Sequence, residues 1–204
     1  MRILSVRWYH NYGMSAPGPL FFFVGRIASG KGTQSKMLAE KLGCDMFVTG
    51  DRFRAIIASG SEFGTRIKET YDSGRLMPSW VANYLFEEFI FNLPHEKSAV
   101  FEGSGRDANQ AAVIEEVCSW LGRPYLVLNL EVSEETVMAR SAGRARDKTD
   151  DPEVVKTRLA EYQKLTEPAI EYFRSIGKCV DVDGEKDMQT VQDAVMRAVA
   201  PFVQ

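Results

Sequence analysis

The chemistry within reach of this chain gathers around one lysine. The stretch Phe21-Phe22-Phe23-Val24-Gly25-Arg26-Ile27-Ala28-Ser29-Gly30-Lys31-Gly32-Thr33-Gln34 passes from an apolar strand pattern, through Gly25-x4-Gly30-Lys31, directly into a helical pattern. Glycine there lets successive backbone N–H groups wrap a polyphosphate at torsions that a side chain resists. The helix that follows adds its positive N-terminal end. The Lys31 ammonium can then reach the β- and γ-phosphates and follow the charge as a phosphoryl group moves. Ala28, Ser29, Gly30, Lys31, Gly32 and Thr33 are therefore candidate triphosphate-binding residues, for ATP or GTP. The strict form of such a loop has Ser or Thr directly after the lysine; here Gly32 stands there and Thr33 follows one later.

Phosphoryl transfer between two nucleotides needs positive charge around the phosphates, in-line placement and exclusion of water, and little covalent chemistry. Arginine suits that task because its planar fork binds two phosphate oxygens and stays charged when desolvated. Arg54 and Arg106 each follow a glycine at a strand end, where a turn faces a ligand; Arg140, Arg144 and Arg158 sit on or beside later helical stretches. The only histidines, His10 and His95, belong to no motif, so general-base catalysis by histidine is not expected.

These groups need a frame. From Leu20 onward, short apolar runs at 20–24, 45–48, 99–102, 125–132 and 178–182 alternate with helical patterns at 32–42, 51–58, 62–72, 79–91, 109–121, 134–142, 153–176 and 188–199. Strands without polar alternation are covered on both faces, and strand–helix–strand repetition implies a parallel sheet with right-handed crossovers. Ligands of such folds sit at the carboxyl ends of the strands. Pro168 is expected to kink or restart the long helix at 153–176. Two insertions, at about 49–92 and 143–152, fall where an acceptor clamp and a lid would hang over that edge.

The chain has 204 residues, 45% apolar and 26% charged, which fits one globular domain. Its net charge of −3 argues against a broad nucleic-acid surface. Three dispersed cysteines without a CxxC pair argue against a disulfide framework or a zinc site and fit a reducing, cytoplasmic compartment. The apolar run 20–24 is too short to span a bilayer. Residues 1–19 hold two arginines, no acid, and Gly13, Pro17, Gly18 and Pro19; they read as a flexible extension outside the fold, with 20–204 forming a single domain.

Gly30-Lys31-Gly32-Thr33-Gln34 resembles the phosphate loop of adenylate kinases and other nucleoside monophosphate kinases, and the resemblance continues in order along residues 20–200. Thr49-Gly50-Asp51-x-x-Arg54 is similar to the family's TGDxxR element, in which Thr and Arg hold the acceptor monophosphate. Gly74-Arg75-Leu76-Met77-Pro78 is similar to its G-x-L-V-P turn against the acceptor base, and Glu102-Gly103-Ser104-Gly105-Arg106-x3-Gln110 to its DGFPRxxxQ element. Arg140-x2-Gly143-Arg144 and Arg158-Leu159 resemble the arginines that flank the lid, a short one without the cysteines of the zinc-bearing form. The resemblance implies an α/β, phosphate-loop NTPase-like, three-layer fold with a five-stranded parallel sheet and a helical acceptor insertion.

It further implies reversible transfer of the γ-phosphoryl of Mg·ATP to AMP, giving two ADP, by a monomer. Lys31, Arg106, Arg144 and Arg158 would be catalytic, and Arg140, Arg144 and Lys186 would join the loop on ATP. Thr49, Arg54, Arg75, Met77, Gly103, Arg106, Gln110, Arg146 and Arg158 would hold AMP, with Arg146 or Lys148 filling the lid position. Magnesium would come with ATP, without a direct protein ligand; Glu102 stands where the family has Asp and would act through water or orient the loop. Thr49 and Gln110 favour AMP, since relatives acting on UMP or CMP have Ala and Asn there. Ala28 in place of a loop glycine and Ser104-Gly105 in place of Phe-Pro depart from the pattern. They keep open a UMP/CMP kinase and a non-catalytic nucleotide-binding relative; a kinase for a small alcohol is disfavoured by the long 49–92 insertion.

Overall fold

The computed structural model of the protein describes residues 16–143 and 151–203. Five strands, β1 (Leu20–Gly25), β2 (Asp45–Val48), β3 (Ala99–Glu102), β4 (Tyr125–Glu131) and β5 (Cys179–Asp183), form one parallel sheet in the order β2-β3-β1-β4-β5. After β1 the chain crosses out to β2, returns to β3, and then moves to the other side of β1 for β4 and β5. The strand order therefore reverses at β1, and a crevice opens at the carboxyl end of that strand.

Helices cover both faces. α1 (Lys31–Leu42) and α9 (Met188–Val199) lie on one face over Phe21, Phe23, Val100, Leu128 and Leu130. On the other face α4 (Ser79–Asn92), α5 (Ala108–Trp120) and α8 (Glu167–Ser175) cover an aromatic core in which Phe22 stacks on Phe101 at 4.6 Å and meets Phe86 and the edge of Tyr125. β1 is buried on both faces, which is why it reads as an unbroken apolar run. α2 (Thr49–Ala58) and α3 (Glu62–Asp72) complete the insertion between β2 and β3, while α6 (Glu134–Ala142) and α7 (Pro152–Glu161) flank the 144–150 segment. Side chains of Ser61, Asp107, Ser133, Asp151 and Asp187 accept from N–H groups of the first turns of α3, α5, α6, α7 and α9, fixing where those helices start.

The long helical stretch at 153–176 is interrupted near Pro168, as expected, and forms three pieces: α7, a π-helical turn at Tyr162–Thr166, and α8. Pro168, at the second position of α8, has no N–H to give and its ring would strike the carbonyl four residues back, so the chain widens there. Near the amino end, Gly18 N–H donates to the His95 carbonyl (2.9 Å) and Ala99 N–H to that of Pro19 (3.3 Å), so the chain joins the core just before β1. Arg123, only 4% exposed, donates to the carbonyls of Gly18, Lys97, Leu93 and Pro94 and ties this lower end together.

Candidate nucleotide site

At the carboxyl edge of β1 the chain turns through Gly25 (φ 135°) and Gly30 (φ 97°) into α1. A Cβ at Gly25 would lie 2.5 Å from the Leu130 carbonyl, so only glycine fits. Ala28 also adopts the left-handed region (φ 58°), the conformation a glycine would take without strain. α1 has no side-chain cap and no acid in its first turn, which leaves its N-terminal N–H groups and positive dipole end facing the crevice. Lys31, 8% exposed, bends its ammonium over this loop, bonding the carbonyls of Gly25 (2.8 Å) and Arg26. The positive charge is thus held in the hollow that the loop encloses. Gly32 has open space around it, and the neighbouring Thr33 lines the crevice.

The crevice continues into a cleft of about 1260 Å³ lined by Ala28–Thr33, Thr49, Arg54, Arg75, Met77, Glu102, Gly103, Arg106, Gln110 and Arg158. β3 brings Glu102 beside Phe23 of β1 and Val48 of β2 at the carboxyl edge. Gly103 follows at φ 89°, and a Cβ there would lie 2.6 Å from an Arg106 guanidinium nitrogen. That guanidinium therefore lies directly over the glycine. The Arg106 backbone is fixed from both sides: its N–H donates to Gln110 Oε1 (3.1 Å) and its carbonyl accepts from Thr166 Oγ1 (2.8 Å) in the π turn. Gln110 Nε2 in turn donates to Asp107 Oδ2 (2.7 Å), so both ends of the Gln110 amide bind the turn that carries Arg106 while the side chain lines the cleft.

The departures from the family pattern have local explanations. Ser104 Oγ shares a hydrogen bond with Thr49 Oγ1 (3.2 Å), tying the β3 turn to the start of α2. Gly105 adopts φ 79°, which proline cannot, and a Cβ there would press on Ile114 and Phe173 at 3.3 Å. The turn is thus held by Ser104, Asp107 and Thr166 rather than by a proline ring.

On the insertion side, Arg54 donates to the Tyr71 hydroxyl (2.8 Å) and pairs with Asp51, which aims it along the cleft wall. The Gly74–Pro78 turn leans on α7: a Cβ at Gly74 (φ 77°) would meet Val154 at 2.7 Å and Arg158 at 3.2 Å, and Leu76 N–H donates to Glu161 Oε2 (3.1 Å). Tyr162 borders the cleft with its hydroxyl pushed up to about 12, because burial outweighs the Arg26 guanidinium 5.3 Å from its ring.

Arg140 and Lys186 do not line this cleft. The Arg140 guanidinium bonds the carbonyls of Ala28 (3.4 Å) and Gly184 (3.0 Å), bracing the loop from behind, and the exposed Lys186 pairs with Asp183 at 3.5 Å. Arg144, Arg146 and Lys148 lie outside the described residues. Sequence reasoning missed Asp107, Glu161, Tyr162 and Thr166; the offset from Asp107 to Gln110 is the helix-start spacing that could have flagged the first.

A reversed parallel sheet, an uncapped helix behind a glycine–lysine loop and a nucleotide-sized cationic cleft define a phosphate-loop nucleotide-binding α/β protein. The family described as "Adenylate kinase" matches residues 23–178. Curated relatives include an adenylate kinase of Caulobacter sp., 35% identical over 86% of this chain and 95% of that protein. Others are an adenylate kinase 1 of Synechocystis sp. (34%, over 88% and 96%) and an adenylate kinase of Mycobacterium bovis (37%, over 80% and 91%). The chain belongs to the adenylate kinase family.

Proposed function

We propose that this chain transfers the γ-phosphoryl group of Mg·ATP reversibly to AMP, giving two ADP. The observation that carries the reading is the single cleft with the Lys31 loop at one end, the Thr49–Arg54 element at the other, and Arg106 lying over Gly103 between them. Two anionic nucleotides entering from opposite ends would meet at Arg106, whose fork can bridge the group in transit. Lys31 and the α1 N-terminus hold the donor phosphates. Arg54, backed by Tyr71 and Asp51, holds the acceptor phosphate, and Arg75, Met77 and Gln110 border its base. Arg158 lines the same space from α7, and Arg144 and Arg146 would join from the lid.

Magnesium fits this donor set. Glu102 presents one carboxylate to the cleft, which suits an ion that keeps most of its waters and takes its other ligands from phosphate oxygens. Among the described residues no group of three or more His, Cys, Asp or Glu forms a cage of its own. When bound, the ion neutralises charge between the β- and γ-phosphates. Among the described residues, no helix is long and apolar enough to cross a membrane; we infer a cytoplasmic monomer from composition and family resemblance.

The test is ADP formation from Mg·ATP with AMP, GMP, CMP or UMP, with Lys31→Ala run in parallel. Turnover restricted to AMP and reduced by about 10³-fold or more in the variant supports the reading. Preference for UMP or CMP would replace the acceptor assignment, and tight ATP binding without turnover on any acceptor would leave only nucleotide binding.

A further inference from the structure

Among the described residues, nothing covers one face of α4. Trp80, Tyr84 and Phe91 are 63%, 59% and 60% exposed, and their spacing places them within one narrow arc of the helix, with Glu87 and Glu88 along the same stripe. Phe63 of α3 packs on Trp80 at 6.0 Å and extends the patch. Isolated exposed aromatics are ordinary, whereas a run of three along one helix face is a surface shaped to be covered.

The residues able to cover it are attached at its foot. The chain enters the described region at Ala16, and Gly18 is fastened to His95, three residues beyond the end of α4, with Arg123 clamping Gly18, Leu93, Pro94 and Lys97 together. The preceding fifteen residues, MRILSVRWYHNYGMS, span up to about 50 Å when extended. The helix measures about 21 Å, so the reach is ample. Their chemistry is complementary: Ile3, Leu4, Val6, Trp8, Tyr9 and Tyr12 for the aromatic stripe, and Arg2 and Arg7, with no acid, for Glu87 and Glu88. They also lie outside the family match, which begins at residue 23 while the Caulobacter relative is covered over 95% of its own length.

We propose that residues 1–15 dock along the exposed face of α4, laying their apolar side chains over Trp80, Tyr84 and Phe91 and their arginines against Glu87 and Glu88. The extension then covers an outer wall of the acceptor insertion, independently of which acceptor the cleft takes.

Hydroxyl-radical footprinting read by mass spectrometry tests this on the full chain and on a variant lacking residues 1–15. A docked state populated about three to one should slow oxidation of Trp80, Tyr84 and Phe91 about fourfold in the full chain relative to the deletion. Met188, 58% exposed and on the opposite side of the sheet, should oxidise equally in both. A full-length Arg2→Glu/Arg7→Glu variant, which alters none of the described core, should behave like the deletion, and adding Glu87→Lys/Glu88→Lys should restore protection. Equal oxidation of the stripe in full chain and deletion would overturn the proposal. So would protection that survives the deletion and fades on dilution, since a second copy would then be the cover, or charge reversal without effect.

Discussion

Gly103→Ala should disable the enzyme while leaving it folded. The added methyl would lie 2.6 Å from an Arg106 guanidinium nitrogen and 3.3 Å from its central carbon, so contact is unavoidable. The obstructing atoms are the far end of a flexible side chain, and the guanidinium will give way more readily than the backbone. The stability loss then comes chiefly from placing alanine at φ 89°, about 1–2 kcal/mol. For a domain of this size that corresponds to roughly 2–8 °C in Tm. Function should suffer more. A misplacement of about 1 Å in a group that must meet the transferring phosphoryl lowers the rate about 10²-fold, or about 2.7 kcal/mol of transition-state stabilisation. Donor binding should change little, because the Lys31 loop and the α1 N-terminus are untouched. The assay is steady-state ADP formation beside ATP titration and a thermal melt, with Arg106→Ala giving the larger loss of about 10³-fold or more. If kcat stays within about threefold of the parent while Tm falls, Arg106 does not act from its position over Gly103, and the reasoning fails.

Two further predictions concern what holds the site in place. Arg123→Met should destabilise the protein by about 3 kcal/mol or more in urea unfolding, because the carbonyls of Gly18, Leu93, Pro94 and Lys97 lose a shared donor while an apolar chain of similar length remains. Its ATP affinity at 25 °C should match the parent's. Asp181 gives the pH dependence: burial raises its pKa, but hydrogen bonds from Arg174 and Asn129 outweigh burial and hold it below the ordinary carboxylate value. A carboxyl depressed in the folded state stabilises the protein above its unfolded pKa of about 4 and loses that contribution as pH falls through the lower folded value. Asp181→Asn should therefore be less stable than the parent at pH 7 and converge with it in urea titrations toward pH 3; parallel curves would exclude Asp181 from the acid limb.

The reasons some of this was legible in the sequence and some was not lie in how far apart the partners are. The phosphate loop is local: strand, glycines, lysine and helix follow one another within fourteen residues, so composition and spacing define its shape. That the sheet is parallel and covered by helices on both faces could be expected, because its strands carry no polar alternation; the order of its strands could not. The turn after β3 is the opposite case. Ser104-Gly105 reads as the loss of a rigid proline, yet the turn is rebuilt by Thr49, 55 residues earlier, and Thr166, 60 residues after Arg106. Nothing within a local window announces either partner.

Charged residues divide in the same way. Arg123, between Gly122 and Pro124, looks like a solvated turn cation and proves to be a buried clamp on segments about 30 and 105 residues away. Arg140, expected on ATP, bonds the backbone carbonyls of Ala28 and Gly184 and so braces the Lys31 loop without lining the cleft. What separates the two fates is the supply of carbonyl acceptors at a strand or helix end, and that supply is set by the tertiary fold. Cations just past a strand end, such as Arg54 in the second turn of α2 and Arg106 on the turn after β3, meet side chains there or lie over glycine, and both line the cleft. The position of an arginine relative to the nearest strand end is thus a better guide to its role than its proximity to the motif in sequence.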